Sequence, residues 1–254
     1  MDPATVTSKP SIRVGSFNVQ HGLNAHGHPG LDATLAALAA LRADIAGLQE
    51  IDGRRLGPHR AGKVGGTGWA GQVSRARRAT AMHATFGPVS QRGLFGCYGN
   101  ALLVRGSIGA VENEALPTGS ASAPRRVLVA SVTIGETDLT VAVTHLSVHR
   151  SEALSQLNVA AGSLASRSGP LVLLGDLNLG PADVAGVLDP LGFALAGGGP
   201  TYPSRAPRAR IDHIAVRGLA LGAAEVGTSE ISDHCPVVVP VEVGPVRGST
   251  TLPR

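Results

Sequence analysis

The sequence predicts a mixed α/β fold in which two β-sheets pack together and helices flank them. Three observations predict it. Segments with a strand-like apolar pattern outnumber helical ones. Each half of the chain runs strand, helix, strand. Gly and Pro are abundant, at 34 and 17 of 254 residues, which favours many turns between short elements over long helical bundles. A doubly wound parallel sheet fits this order less well.

Along the chain, residues 12–18 read as a strand ending in Asn18. Residues 31–41 carry Leu and Ala at helical spacing, with Asp32 as the cap. Residues 44–50 form an apolar strand ending in Glu50. A Gly- and Arg-rich loop follows over 53–70, then a helix over 71–83 with Arg75, Arg77 and Arg78 on one face. Strands are expected at 101–105, 108–116, 126–134 and 139–145, the last ending in His145. A helix covers 152–166, and the unbroken apolar run from Leu171 is a buried strand. The final strands are 211–216 and 235–243. No linker divides residues 11–243, which form one expected domain between flexible ends at 1–10 and 246–254.

Phe, Trp and Tyr are only 3% of the chain, so the core must come from Leu, Val, Ile and Ala. The formal net charge is +4, and Lys9 and Lys63 are the only lysines. Arginine suits phosphate because its planar fork grips two oxygens at once, although a bias toward Arg, Ala and Gly explains the balance equally well. Cys97 and Cys235 make neither a zinc cluster nor a disulfide framework, and are expected as free thiols. Residues 1–10 lack the apolar stretch of a secretory signal, and no run reaches membrane-spanning length. The expectation is a soluble, cytoplasmic monomer.

Six short stretches carry chemistry. Leu171-Val-Leu-Leu-Gly-Asp176-Leu-Asn178 delivers an acid and an amide at a strand exit. If extended geometry persists, the two share a face; a simple turn accounts for the same residues. Ile211-Asp212-His213 and Ser232-Asp233-His234-Cys-Pro236 each set an Asp beside a His, and such a carboxylate can fix an imidazole tautomer. Leu48-Gln-Glu50 ends a strand in a hard metal ligand. Ser16-Phe-Asn18 and Thr144-His145-Leu146 end two more strands. Each stretch alone reads as a surface loop at least as readily. Gly-x-Ser-x-Gly, a phosphate loop ending in Gly-Lys-Ser/Thr, and His-Glu-x-x-His are all absent. Oxygen ligands predominate, which favours Mg²⁺ or Mn²⁺ over Zn²⁺.

In this order the six stretches resemble the endonuclease/exonuclease/phosphatase superfamily, over residues 11–242. The resemblance implies a four-layer α/β/β/α sandwich, DNase I-like, with its site at one rim. It implies a Mg²⁺ (or Mn²⁺) ion held by Glu50, with Asn18 and Asp233 as further metal ligands. Asp176 would orient or deprotonate water, and Asn178 would steady the transition state. His234, paired with Asp212, would contact the scissile phosphate, with His145 opposite. Asn100, Arg125 and Arg126 are the expected substrate-binding residues. Gln20 departs from the pattern, because repair-type members often carry an acid there. Thr144-His145 resembles the DNase I, sphingomyelinase and phosphatase branches rather than the abasic-site branch.

The expected activity is hydrolysis of a phosphoester substrate, with a nuclease-like phosphodiesterase ahead of a lipid phosphodiesterase. Arg54, Arg55, Arg60, Arg75, Arg77, Arg78, Arg205, Arg208 and Arg210 are candidates for a rim that tracks nucleic acid, each also readable as solvated surface. Few aromatics are available to stack bases: Trp69, Tyr98 and Tyr202. A phosphomonoesterase is the second reading. An inactive binding module on the same fold is the third, and five intact polar positions argue against it.

Overall fold

The computed structural model describes residues 11–54, 71–91, 96–119, 122–228 and 230–243. The expected flexible ends and most of the Arg-rich loop, with Arg55, Arg60, Lys63 and Trp69, lie outside the described residues.

The first sheet contains β1 (Ser11–Asn18), β2 (Ile45–Arg54), β3 (His83–Gln91) and β4 (Cys97–Val104), joined by β11 (Ala220–Leu221), β12 (Glu225–Val226) and β13 (Val237–Glu242). Its order is β11-β13-β1-β2-β4-β3, with β12 also on β13. The second contains β5 (Ser107–Ala115), β6 (Arg126–Ile134), β7 (Thr137–His145), β8 (Leu171–Asp176), β9 (Ala194–Leu195) and β10 (Asp212–Arg217), in the order β5-β6-β7-β8-β10-β9. Helices α1 (Leu31–Ala40) and α2 (Gly71–Thr80) belong with the first sheet, α3 (Arg150–Ala165) and α4 (Pro181–Leu188) with the second.

Strand alternation explains the layering. In β8, Val172 and Leu174 join Val14, Ile45 and Leu102 between the sheets, while Leu171 and Leu173 pack outward on Leu157, Leu164 and Val184 of α3 and α4. In β2, Ile45 faces the other sheet, whereas Ala46 and Leu48 face Leu38 of α1 and Ala76 of α2. Both faces of these strands are covered, which is why they read as continuous apolar runs. The result is the four-layer α/β/β/α sandwich.

Each sheet is built round one parallel pair joined through a helix: β1 and β2 through α1, β7 and β8 through α3. Antiparallel strands flank both pairs, β13 and β4 in one sheet, β6 and β10 in the other. The loose likeness between halves is therefore topological. It sends the carboxyl ends of all four parallel strands to the same rim, where Asn18, Glu50, His145 and Asp176 stand.

Several expectations are corrected. β2 continues past Glu50 to Arg54 across a bulge at Leu48/Ile51. The helix expected over 71–83 stops at Thr80, and His83–Gln91 is a strand. Helix α4 was not expected. Gly30, not Asp32, occupies the N-cap of α1; Asp32 sits in the first turn and pairs with Arg75.

Candidate active site

Four strand exits meet at the rim, and Asp176 is the point of contact. It is 1% exposed, and its Oδ2 accepts from Asn18 Nδ2 at 3.0 Å. The same oxygen lies 3.4 Å from His145 Nε2 and 3.6 Å from His234 Nε2. Asn18 Nδ2 also reaches Glu50 Oε1 at 3.3 Å, tying the two sheets together. Burial, then the charge of Asp212, pushes the Asp176 carboxyl up to about 7.

His234 is held on a loop before β13. Its Nδ1 meets Asp212 Oδ2 at 2.9 Å, with Asp212 fully buried at the start of β10. Burial opposes the charged ring, but Asp212, Asp176 and Asp233 outweigh it and raise His234 to about 10. His145 goes the other way: burial, then Arg125, then His234 and His21, hold it well below the usual range. The two imidazoles that face Asp176 are thus pushed in opposite directions, His234 toward its charged form and His145 toward its neutral one.

The pairing of Asp212 with His234 that the resemblance implied is present, and the alternative offered by the Asp212-His213 dipeptide is corrected. Asp212 pairs with His234 across 22 residues, not with its neighbour His213. His213 turns the other way and donates Nε2–H to the Leu179 carbonyl at 2.8 Å; burial lowers it to about 4. Nor does extended geometry continue from Asp176 to Asn178. Asn178 has φ +51, and its backbone N–H donates to Asp176 Oδ1 at 3.2 Å, so a turn aims both residues. The Asn178 amide donates to the Leu146 carbonyl at 3.1 Å.

Asp233 stands on the His234 loop, where its N–H donates to Gln20 Oε1 at 3.1 Å. Gln20, which departs from the acidic pattern, is thus a brace for that loop. Ser232 Oγ donates to the Asn18 carbonyl at 2.7 Å, and Ser204 Oγ to the Ser232 carbonyl at 2.6 Å. Tyr202 packs on His234, with centroids 4.9 Å apart. Burial raises Asp233, and Glu50 adds to the rise. Glu50, Asp176 and Asp233 therefore crowd negative charge beside an amide, a set of hard oxygen donors that fits a divalent cation. A second set, Asp176, Asp212 and His234, also brings three ligating atoms together.

The expected substrate-binding residues divide. Asn100 is 1% exposed and donates its amide to the Arg126 carbonyl. Arg126 donates Nη2 to the Asn113 carbonyl at 2.7 Å, bracing β5 against β6. Arg125 is near enough for its charge to act on His145. Arg210 is bonded to the Ala196 carbonyl, while Arg205 and Arg208 are exposed on the turn after Tyr202.

Sequence reasoning missed His21, Asp52 and Gln72. His21 Nδ1 meets Asp52 Oδ1 at 2.9 Å, and His21 Nε2 lies 3.6 Å from Glu50 Oε2. The spacing Glu50-Ile-Asp52, two carboxylates in alternation on one strand, was the available signal.

This fold, with acids, an amide and imidazoles gathered at strand exits, defines a metal-dependent phosphoesterase. The sequence model of the Endonuclease/Exonuclease/phosphatase family matches residues 15–234, and the chain belongs to that family. No curated protein matches the sequence. Among solved structures, an endonuclease/exonuclease/phosphatase from Beutenbergia cavernae DSM 12333 is 21% identical, with TM-score 0.74, covering 93% of this chain and 72% of that one. A mannosyl-6-phosphatase of Bacteroides thetaiotaomicron VPI-5482 is 15% identical, with TM-score 0.73, covering 91% and 99%. TDP2 of D. rerio, complexed with single strand DNA product, is 20% identical, with TM-score 0.69, covering 91% and 99%. At these identities the likeness establishes the fold. Among the described residues no helix is long and apolar enough to cross a membrane.

Proposed function

We propose that this protein is a Mg²⁺- or Mn²⁺-dependent phosphodiesterase that cleaves by attack of a water oriented on Asp176. The observation that carries the reading is the convergence of Asn18, His145 and His234 on one buried Asp176 oxygen. Asn18, Glu50 and Asp233 would hold the ion. The Asp176, Asp212, His234 set suits it less, because His234 Nδ1 is already committed to Asp212 and a protonated imidazole is no ligand. When bound, the cation supplies charge compensation for the non-bridging oxygens.

The side chains divide the remaining work. Asp176 accepts the proton of the attacking water and holds that water in line with the phosphorus. His234, kept cationic by Asp212, donates Nε2–H to a phosphate oxygen. Neutral His145 donates to the phosphate from the opposite side without repelling Arg125. Asn178, with one amide hydrogen given to Leu146, offers the other to the transition state. Of the expected substrate contacts, Arg125 is the one whose charge acts on His145.

A diester of a polyanion is favoured by Arg205 and Arg208, exposed beside the Tyr202 that packs on His234. The alternative is a phosphomonoester, the kind of bond named for the mannosyl-6-phosphatase neighbour. The test is a screen of plasmid DNA, RNA, bis-p-nitrophenyl phosphate, sphingomyelin and inositol phosphates, with and without EDTA. The expected result is DNA or RNA fragments, loss of turnover in EDTA, and recovery with Mg²⁺ or Mn²⁺. Asp176→Asn and His234→Ala should each lower turnover by about 10²–10³ with the fold intact. Full turnover in EDTA would sink the metal requirement, and near-normal rates in both variants would sink the site. Free phosphate from a monoester alone would select the alternative.

A further inference from the structure

We propose that His21 is a nitrogen ligand to the same cation, completing a site with Glu50, and that Asp52 is the carboxylate behind it. The inference rests on the reading that Glu50 holds the ion.

Three features point to it. The first is the direction of the ring. Nδ1 is 2.9 Å from Asp52 Oδ1, and Asp52 is 1% exposed. A buried carboxylate at that distance accepts Nδ1–H and sets the tautomer, so Nε2 is the atom turned to Glu50. This is the carboxylate–histidine arrangement that stands behind many metal-bound imidazoles.

The second is the gap. His21 Nε2 and Glu50 Oε2 are 3.6 Å apart, which is too long for a hydrogen bond. Two donors each about 2.1 Å from one ion stand about 3.0–3.6 Å apart, for donor–ion–donor angles between about 90° and 120°. A gap of 3.6 Å is wide enough to take a shared cation. Both side chains keep some access to solvent, at 19% and 28%, as an ion-loading site needs.

The third is how much structure is committed to holding the ring there. His21 has φ +57 and the preceding Gln20 φ +45, left-handed backbone that non-glycine residues seldom adopt. Glu50 also has φ +52, in the bulge of β2. A single buried amide couples the dyad: Gln72, 2% exposed, donates Nε2–H to the His21 carbonyl at 2.6 Å and accepts the Asp52 N–H at 3.1 Å. Tyr98 closes the far side, its ring edge-on to His21 at 5.3 Å. Three side chains, from β2, α2 and β4, thus hold this imidazole beside one carboxylate.

The consequence is a change in metal preference. Gln20 supplies no charge where an acid would add a hard ligand, and His21 supplies an imidazole. Imidazole favours the first-row transition ions over Mg²⁺. The inferred occupant is Mn²⁺ or another transition dication, bound more tightly than Mg²⁺.

The test uses Mn²⁺ alone, without substrate, on the full chain. Electron paramagnetic resonance of free Mn²⁺ reads the dissociation constant, and spin-echo modulation reads ¹⁴N coupled to the ion. His21→Asn is the main variant, because Asn tolerates left-handed backbone; circular dichroism and thermal unfolding establish that it is folded. The expected results are a ¹⁴N coupling in the wild type, its loss in His21→Asn with Mn²⁺ bound at least about 10-fold more weakly, and about 10–100-fold weakening in Asp52→Asn. Glu50→Gln separates the two readings. If it binds Mn²⁺ as the wild type does, the Glu50 site itself is wrong. If it fails to bind while His21→Asn keeps wild-type affinity or the ¹⁴N coupling, the Glu50 site stands and the role of His21 is overturned.

Discussion

His213 and His234 lie 21 positions apart, both beside an Asp in the sequence, and their environments drive them in opposite directions. His213, with its ring against the Leu179 carbonyl, is held neutral down to about 4. The unfolded chain takes up that proton below about 6.5, so more protons bind on unfolding in this window. The contribution of His213 is therefore present above about 6.5 and is lost as pH falls toward 4. Asp176, raised to about 7, has the opposite slope between its ordinary value and 7. The His213 effect must be read as a difference between proteins. Relative to His213→Gln, which keeps a donor for Leu179, the wild type should lose about 2 kcal/mol of stability between pH 7 and pH 5. Urea unfolding of metal-free protein at several pH values measures it; a difference that stays constant with pH would refute the assignment. The residue types at the site were legible, and so, through the family resemblance, was the pairing of Asp212 with His234. The contact of His21 with Asp52 was not read, because the Glu50-Ile-Asp52 spacing points to Asp52 alone and His21 reaches it from 31 residues away.

At the scale of elements, legibility followed burial. β6 and β8 were read almost to the residue, because both faces of each are apolar. β3 was missed because Gly87 and Pro88 look like a break; among the described residues it is an edge strand with β4 as its one neighbour, where a proline costs no ladder bond. Helix α4 was missed for a similar reason: Pro181 opens it and Gly186 interrupts it, although proline is well suited to a first turn. The strand exits carry the least legible feature, their distortion. Gly175 has φ +149, and a Cβ there would lie 1.9 Å from the Thr144 carbonyl oxygen. The kink sets Asp176 against His145, its register partner on β7. Gly175→Ala should therefore cost about 2–6 kcal/mol from overpacking and backbone strain together, and reduce turnover. Gly186→Ala, with nothing within 4 Å of the new methyl, should instead stabilise by up to about 1 kcal/mol. Thermal unfolding of the two variants decides; similar shifts in both would mean that the kink at Gly175 is not required.

At the scale of the whole molecule, the site exists because two sheets meet at one separation. β1 and β2 bring Asn18 and Glu50; β7, β8 and β10 bring His145, Asp176 and Asp212; the Asn18 amide bridges them. Directly beneath, Gly47 of β2 faces Leu174 and Val143 of the other sheet. A Cβ at Gly47 would lie 1.9 Å from Leu174 Cδ1 and 3.0 Å from a Val143 methyl. Gly47 is three residues before Glu50, and Leu174 is two before Asp176, so a wedge here displaces both carboxylates from each other. Gly47→Ala should destabilise by about 1–3 kcal/mol. It should also lower turnover, although Gly47 touches no substrate. The obstructing atom is the end of a flexible side chain rather than backbone, so removing it should relieve the strain. Leu174→Val alone costs about 1 kcal/mol in lost contacts. The double variant should nevertheless be more stable than Gly47→Ala, with a favourable coupling of about 0.5–3 kcal/mol, and should regain part of the turnover. Denaturant midpoints and initial rates for the four proteins of the cycle measure both. Strictly additive losses would show that the spacing of the sheets is set elsewhere and does not position the carboxylates.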